Sequence, residues 1–298
     1  MKSLEELIDR AKSLPGKKIS LAGAHEQDSL IAAERARSHG IADFILVGDR
    51  TEIEASAKKI GIDPGNFEIQ HEPVKKKISS TAISVIHDGR ADVLMKGLVT
   101  TANFMRAILD KKTGLLSSGL LSHLAVFEIK NYPKLLGVTD AAINIAPTLG
   151  EKITMIESAA SVFRNLGVDD PKVACVCAVE KVNPGKMPCT EEAAVLAKMS
   201  QNGQIQGATV DGPFGLDNAV SPAAAKLKNI GGDVAGNADI ILCPDIEAAN
   251  VLYKTLAYLA DCDCGAIVIG TSAPVILTSR ADSDETKFAS IALAIAAS

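Results

Sequence analysis

A hydroxyl, a guanidinium and two carboxylates fall close together in the run Pro274–Thr286, PVILTSRADSDET: Ser279, Arg280, Asp282 and Asp284. A serine hydroxyl can donate to an oxygen that gains charge during a reaction. Arginine forks onto phosphate oxygens, and a carboxylate can accept a proton. The run opens with Val275-Ile276-Leu277-Thr278, an apolar, β-branched stretch that predicts a buried strand. An alanine-rich helix follows it. The four groups are therefore expected between a strand's carboxyl end and a helix N-terminus, the edge at which open α/β sheets bind ligands and helices attract anions.

A second set lies earlier. Strand Asp92–Met95 leads through Lys96-Gly97-Leu98-Val99-Thr100 to helix Thr101–Asp110, which carries Arg106. Lys96, Thr100, Thr101 and free backbone N–H groups suit an anionic ligand. Equally, Thr100 can cap the helix while Lys96 points to solvent. Two further loops carry acidic and amide groups: Asp211 to Asn218 (DGPFGLDN) and Pro244 to Asn250 (PDIEAAN). In them Asp211, Asp245 and Asn250 are candidates to face a ligand; both loops also read as ordinary surface turns, with Asp245 as an N-cap.

The elements that position these groups alternate. Helices Ser3–Lys12, Asp28–His39, Glu52–Ile60 and Val74–His87 are interleaved with strands Ile19–Ala22, Asp43–Val47 and Phe67–Gln70. Two strands, Leu121–Ile129 and Leu135–Val138, open the middle section. A helix from Pro147-Thr148 follows, with Thr148 and Glu151 in capping-box spacing. Strand Val173–Val179, helix Thr190–Ser200, strand Ala208–Val210, helix Ser221–Lys228, strand Asp239–Leu242, helix Glu247–Leu259 and strand Ala266–Ile269 complete the series. This alternation predicts parallel sheets covered by helices. Only Gly270–Pro274 separates the last two strands, too short for a parallel crossover. The link is expected to carry the chain from one sheet to another, giving two domains: residues 1–138 with 273–298, and residues 139–272.

The chain has 298 residues, 47% hydrophobic but only 3% aromatic, so alanine and branched aliphatics must pack the core. A net charge of -5 argues against a nucleic-acid binder. No apolar run approaches the ~18 residues of a membrane span, and the acidic, amphipathic LEELIDRAKSL after Met1-Lys2 does not read as a secretory signal. The six cysteines fall mostly in strands and read as reduced, small hydrophobes. A cytoplasmic protein is expected. There is no GxxxxGK[ST] loop, no GxGxxG turn after a strand, no HExxH pair, no zinc-spaced cysteine set and no GxSxG elbow. His123, within a strand, reads as a core histidine.

Six segments together resemble the phosphate acetyltransferase/phosphate butyryltransferase family, nearest its butyryl branch: MKGLVTTANFMRAIL, LLSHLAVFE, VTDAAINIAPT, VDGPFGLDNAVSP, ADIILCPDIEAANVLYKTLAYLAD and PVILTSRADSDETKFASIALA. The resemblance covers most of the chain from about Asp92 onward. It implies acyl-CoA + phosphate ⇌ acyl phosphate + CoA by direct transfer, with no bound cofactor or metal and with coenzyme A and phosphate as substrates. It also implies two doubly wound α/β domains with a cleft between them, similar to isocitrate and isopropylmalate dehydrogenases, and a homo-oligomer. Ser279 and Arg280 match the family's Ser-Arg pair, where serine steadies the transition state and arginine holds phosphate; Arg106 matches a second cleft arginine. The acetyl branch has an additional arginine in a lysine-rich insert that this chain lacks. It also has an aspartate seven residues after the serine, where Thr286 stands here; Asp282 and Asp284 are the candidates to replace it. Both departures favour longer acyl chains, with butyryl-CoA the expected substrate. The alternatives are a phosphate acetyltransferase, an NAD(P)-dependent dehydrogenase on the shared fold, and a non-catalytic acyl-CoA-binding regulator.

Overall fold

The computed structural model describes residues 1–14, 16–277 and 282–298. It is a mixed α/β protein whose chain divides into two compact units. Unit I comprises Glu5–Gly119 with Gly265–Ser298; unit II comprises Met1–Leu4 with Leu120–Cys264.

The chain begins α1 (Leu4–Lys12), β1 (Lys18–Ala22), α2 (Gln27–Ser38), β2 (Asp43–Gly48), α3 (Arg50–Lys59), β3 (Glu68–His71), α4 (Ile78–His87), β4 (Val93–Lys96) and α5 (Thr101–Ile108). Unit II then runs β5 (Ser122–Glu128), β6 (Leu136–Thr139), α6 (Leu149–Asn165), β7 (Lys172–Val176), α7 (Pro188–Gln201), β8 (Thr209–Phe214), α8 (Leu216–Val220), α9 (Pro222–Leu227), β9 (Ile240–Leu242) and α10 (Ile246–Lys254). Finally β10 (Asp263–Ile269), β11 (Val275–Ile276) and α11 (Asp284–Ala297) return the chain to unit I.

In unit I the strand order is β3-β2-β1-β4-β11-β10. All neighbours are parallel except β10 and β11. The inner strands are apolar on both faces: Ile19, Leu21, Ile45, Leu46, Val93, Leu94, Met95, Val275 and Ile276 are all fully buried. Continuous burial of this kind is what parallel strands under helices require. Alanine-rich α11 is buried along its whole length from Lys287 to Ala297, so small side chains let it lie close against its surroundings. Unit II has the order β5-β6-β9-β7-β8, antiparallel only between β5 and β6. Thr148 and Glu151 form the expected capping box at the start of α6.

Four expectations change. The Gly270–Pro274 link does not lead to another sheet. It turns β10 back on β11 as an antiparallel pair, Val268 opposite Val275, a geometry that needs no crossover. The units change over at 119/120 and 264/265, where the sequence places the boundaries at 138/139 and 272/273. The hairpin β5–β6 explains the first: β6 pairs with β9, so the hairpin belongs to unit II. The run Asp211 to Asn218 is not a loop. Asp211–Phe214 continues β8, Ala174 facing Asp211 and Val176 facing Phe214, so a bulge absorbs Gly212 and Pro213; Leu216–Val220 is a helix. Lastly, α4 begins at Ile78 instead of Val74, because the Glu72 carboxylate accepts the Val74 N–H and Val74–Lys77 closes a turn.

Candidate active site

Ser279 and Arg280, with Thr278 and Ala281, lie outside the described residues. The strand that precedes them in the chain is described. Strands β4 and β11 are parallel neighbours, Leu94 beside Val275 and Met95 beside Ile276. The carboxyl ends of both therefore open on the same edge of unit I. From one continues Lys96-Gly97; from the other the chain runs on toward Ser279. On the far side of β4, β1 ends at the same level, Ala22 beside Lys96. Here the backbones touch: Gly97 N–H donates to Ala22 O at 2.8 Å and Leu98 N–H to Gly23 O at 2.9 Å. A Cβ on Gly97 would stand 2.6 Å from Gly23 O, so glycine is what lets the two loops close up. Gly23, at φ +77°, is a contributor that its sequence context AGAHE did not reveal.

Lys96 is half-buried, and its Nζ donates to Gly97 O at 3.2 Å. Thr100 is the N-cap of α5, its hydroxyl accepting from Asn103 N–H at 3.3 Å; Thr101 is exposed in the first turn. The capping role and an anion at the same helix N-terminus are compatible, since capping uses one of the unpaired N–H groups. Arg106 is exposed one turn on, donating from Nη1 to Asn103 Oδ1 at 3.1 Å. It lines an open hollow of about 300 Å³ with Lys76, Ser80, Asn103, Asp110 and Thr113. Lys96, Thr100 and Thr101 do not line that hollow. Asp110 is turned inward on its own loop, accepting from Lys112 N–H, Thr113 N–H and the Thr113 hydroxyl, which hold its carboxyl below the usual carboxylate range.

Beyond the undescribed segment, Ser283 caps α11, accepting from Thr286 N–H at 3.1 Å. Asp282 is half-buried just before the cap. Asp284, in the first turn, stands 3.7 Å from Lys287 Nζ, which also reaches Asp28 at 3.8 Å. Thr286 is thus occupied in closing the helix start.

In unit II, Asp211 is half-buried on β8, with Oδ1 accepting from Gly212 N–H at 2.8 Å; burial pushes its carboxyl above the ordinary range. Asp245 is the N-cap of α10, accepting from Ala248 N–H at 2.8 Å. Asn250 ties α10 to the turn after β6, Nδ2 donating to Ala141 O at 2.9 Å. That turn is organised by Asp140, only 2% exposed. Its carboxylate accepts from the N–H groups of Ala142, Ile143 and Asn144 and from Asn144 Nδ2; Asn144 also donates to Leu121 O at 2.8 Å. Asp140 and Asn144 were visible in the sequence only within VTDAAINIAPT, with no role attached. His123 is half-buried and packs edge-on against Tyr253, ring centroids 5.8 Å apart. No helix of the described residues is long and apolar enough to cross a membrane.

Comparison with known proteins places the chain in a family. The profile described as phosphate acetyl/butaryl transferase matches residues 3–79 and 65–295. The chain is 51% identical to a phosphate butyryltransferase of Clostridium acetobutylicum over 99% of its length and 97% of that protein. It is 43% identical to a phosphate acetyltransferase of Thermotoga maritima over 97% of its length and 98% of that one. A crystal structure of a branched-chain phosphotransacylase from Enterococcus faecalis superposes with a TM-score of 0.82 at 31% identity, covering 94% of this chain and 98% of the other.

Proposed function

Because the chain belongs to the phosphate acetyl/butyryl transferase family, we propose that it moves a short-chain acyl group between coenzyme A and inorganic phosphate, with butyryl-CoA + phosphate ⇌ butyryl phosphate + CoA as its reaction. The observation that carries the site assignment is the parallel pairing of β4 with β11, which opens the Lys96 loop and the chain leading to Ser279-Arg280 on one sheet edge.

In this reaction a phosphate oxygen attacks the thioester carbonyl carbon, the C–S bond breaks, and the thiolate leaves to take up a proton. Arg280 and Arg106 hold the phosphate, a positioning effect of several kcal/mol, up to about 7–11 for ideal intramolecular geometry. Lys96, Thr100, Thr101 and the first N–H groups of α5 add to the positive field. Ser279 donates to the carbonyl oxygen as it gains charge, worth about 3 kcal/mol by analogy with other oxyanion donors. In reverse, the CoA thiol, with an ordinary pKa of about 8.5, loses its proton to Asp282 or Asp284 before attacking the acyl phosphate. The same reading includes two doubly wound domains with a cleft of the isocitrate/isopropylmalate dehydrogenase kind, assembled as a cytoplasmic homo-oligomer without a bound cofactor. Family membership sets aside the dehydrogenase and the non-catalytic binder. Acetyl-CoA as preferred substrate remains the second reading, favoured by the phosphate acetyltransferase relative.

The test is thiol release from butyryl-CoA with and without phosphate. Release should require phosphate. Arg280→Ala should raise the phosphate KM or abolish turnover, and Ser279→Ala should lower kcat roughly 100-fold. Phosphate-independent release, or an unchanged rate in both variants, would overturn the scheme.

A further inference from the structure

Unit II contains an apolar cavity of about 420 Å³ that no step above uses. Three thiols line it, those of Cys177, Cys189 and Cys243. All are free, and of the three only Cys189 is part-exposed. Among the described residues, no three His, Cys, Asp or Glu side chains are placed to hold a metal ion. Two of the sulfurs face each other. Cys177, one residue past the end of β7, hydrogen-bonds through its thiol to Cys189 in the first turn of α7. The backbone beside Cys189 is fixed. Thr190, fully buried, accepts from Asn183 N–H at 2.9 Å and donates from its hydroxyl to Met187 O at 2.8 Å. Burial, and then the hydrogen bond to Cys189, push the Cys177 thiol up to about 12, so it keeps its proton in the resting protein. Lys152, only 4% exposed and paired with Glu192, lines a small hollow with both sulfurs and favours the Cys177 thiolate whenever it forms. One sulfur that a solute can reach, backed by one that it cannot, is the arrangement of an attacking thiol beside a resolving one.

We propose that Cys177 and Cys189 form a reversible redox pair, oxidised by small-molecule disulfides of the glutathione class. The Cys189 thiolate attacks one sulfur of the small disulfide. That S–S bond breaks, and one small thiolate leaves and takes up a proton. Cys177 then attacks the Cys189 sulfur of the mixed disulfide, and the second small thiol leaves with the Cys177 proton. Two protein thiols are oxidised to one disulfide, and the small disulfide is reduced to two thiols. The new bond ties the end of β7 to the first turn of α7 and closes residues 178–188 into a ring. It lies wholly within unit II and stands independently of the acyltransferase reading.

The test is to incubate the folded, reduced protein with oxidised glutathione and to read its intact mass and a peptide map. Wild type should lose about 2 Da, two hydrogen atoms, with Cys177 linked to Cys189, and dithiothreitol should reverse it. Cys177→Ser should stop at one glutathione on Cys189. Cys189→Ser should leave Cys177 unlinked. In oxidised wild type, amide exchange across residues 178–188 should slow about tenfold or more. A lasting glutathione adduct on wild type, or a bond to Cys243 or Cys262 in place of the expected one, would overturn the pair. So would an unchanged mass under conditions in which the unfolded chain reacts. Unchanged exchange in the cross-linked protein would overturn the closing of the ring as a change in the β7–α7 connection. The wild-type readouts decide the matter even where a serine variant fails to fold.

Discussion

Replacing Asp140 with alanine should loosen the turn that connects β6 to α6 more than any surface change in unit II. The carboxylate accepts from Ala142 N–H at 2.9 Å, Ile143 N–H at 3.0 Å, Asn144 N–H at 3.2 Å and Asn144 Nδ2 at 2.6 Å. Hydrogen bonds to a charged acceptor contribute about 1.5–3 kcal/mol each, which for four bonds would give an upper limit near 6–12. Two effects reduce it: the 3.2 Å bond is long, and a vacated carboxylate site admits water to the freed N–H groups. About 3–5 kcal/mol remains, the range seen when one partner of a buried polar cluster is removed. Asp140→Asn keeps one acceptor oxygen but turns an NH2 toward the donors of Asn144 or toward those of Ala142 and Ile143, and should cost roughly 2–3 kcal/mol. Asn144→Ala loses two bonds, one of them to the carboxylate, about 2–4.5 kcal/mol before water reaches the freed groups. Because Asp140 and Asn144 share a bond, the double variant should fall short of additivity by about 1 kcal/mol. A chain with two compact units need not unfold in one step. The assay is therefore native-state amide exchange at Ala142, Ile143 and Asn144, beside the urea midpoint of unit II. Exchange at these amides unaltered in Asp140→Ala, with stability within about 0.5 kcal/mol of wild type, would refute the account of what holds the turn.

Two further outcomes can be checked. A methyl group on Gly137 would meet Phe163 at 2.9 Å and Leu124 at 3.3 Å in the core of unit II, so Gly137→Ala should destabilise by about 1–3 kcal/mol; Phe163→Leu in the same chain should restore part of it, and thermal melts would show both. Burial raises the Asp211 carboxyl, so the native state binds its proton more tightly than the unfolded chain, and the residue costs stability once pH exceeds its unfolded value of about 3.9. Asp211→Asn can still accept from Gly212 N–H. Its advantage in melting temperature over wild type should be absent at pH 3, grow as pH rises through the carboxylate range, and level off above the folded value; a difference independent of pH would contradict this.

Much of the fold could be read along the chain because parallel strands and helices leave local signals. The apolar runs at Ile19–Ala22 and Asp43–Val47, and the Thr148/Glu151 pair, stand in the structure nearly where the sequence puts them. The errors have non-local causes. Asp211-Gly212-Pro213 has turn chemistry, yet β7 recruits it into a bulged strand; nothing within the segment reports that neighbour. The Gly270–Pro274 link is short for a crossover, which the sequence did show, but its resolution as an antiparallel pair depends on β4 accepting β11 as a neighbour. In the site, helix caps at Thr100 and Asp245 were legible from spacing. Asn250 reads as a ligand group but is occupied in holding a turn 109 residues away. The apolar cavity was invisible, because its lining comes from segments around residues 176, 187, 216, 243 and 250 and none of them is unusual alone.

Strand β11 lies between β4 and β10 in unit I, and this has a consequence on the ribosome. When residues 5–119 have been made, β4 presents a bare edge of N–H and C=O groups, and all of unit II must be synthesised before Val275 and Ile276 emerge to cover it. At about 5–20 residues per second, the nascent chain carries that edge for many seconds. Such an edge is an invitation to pair with another copy. Unit II is contiguous apart from its first four residues and can mature early; unit I is completed only by the stretch that also bears Ser279 and Arg280. A polypeptide released before that stretch keeps the β4 edge uncovered and is prone to aggregate.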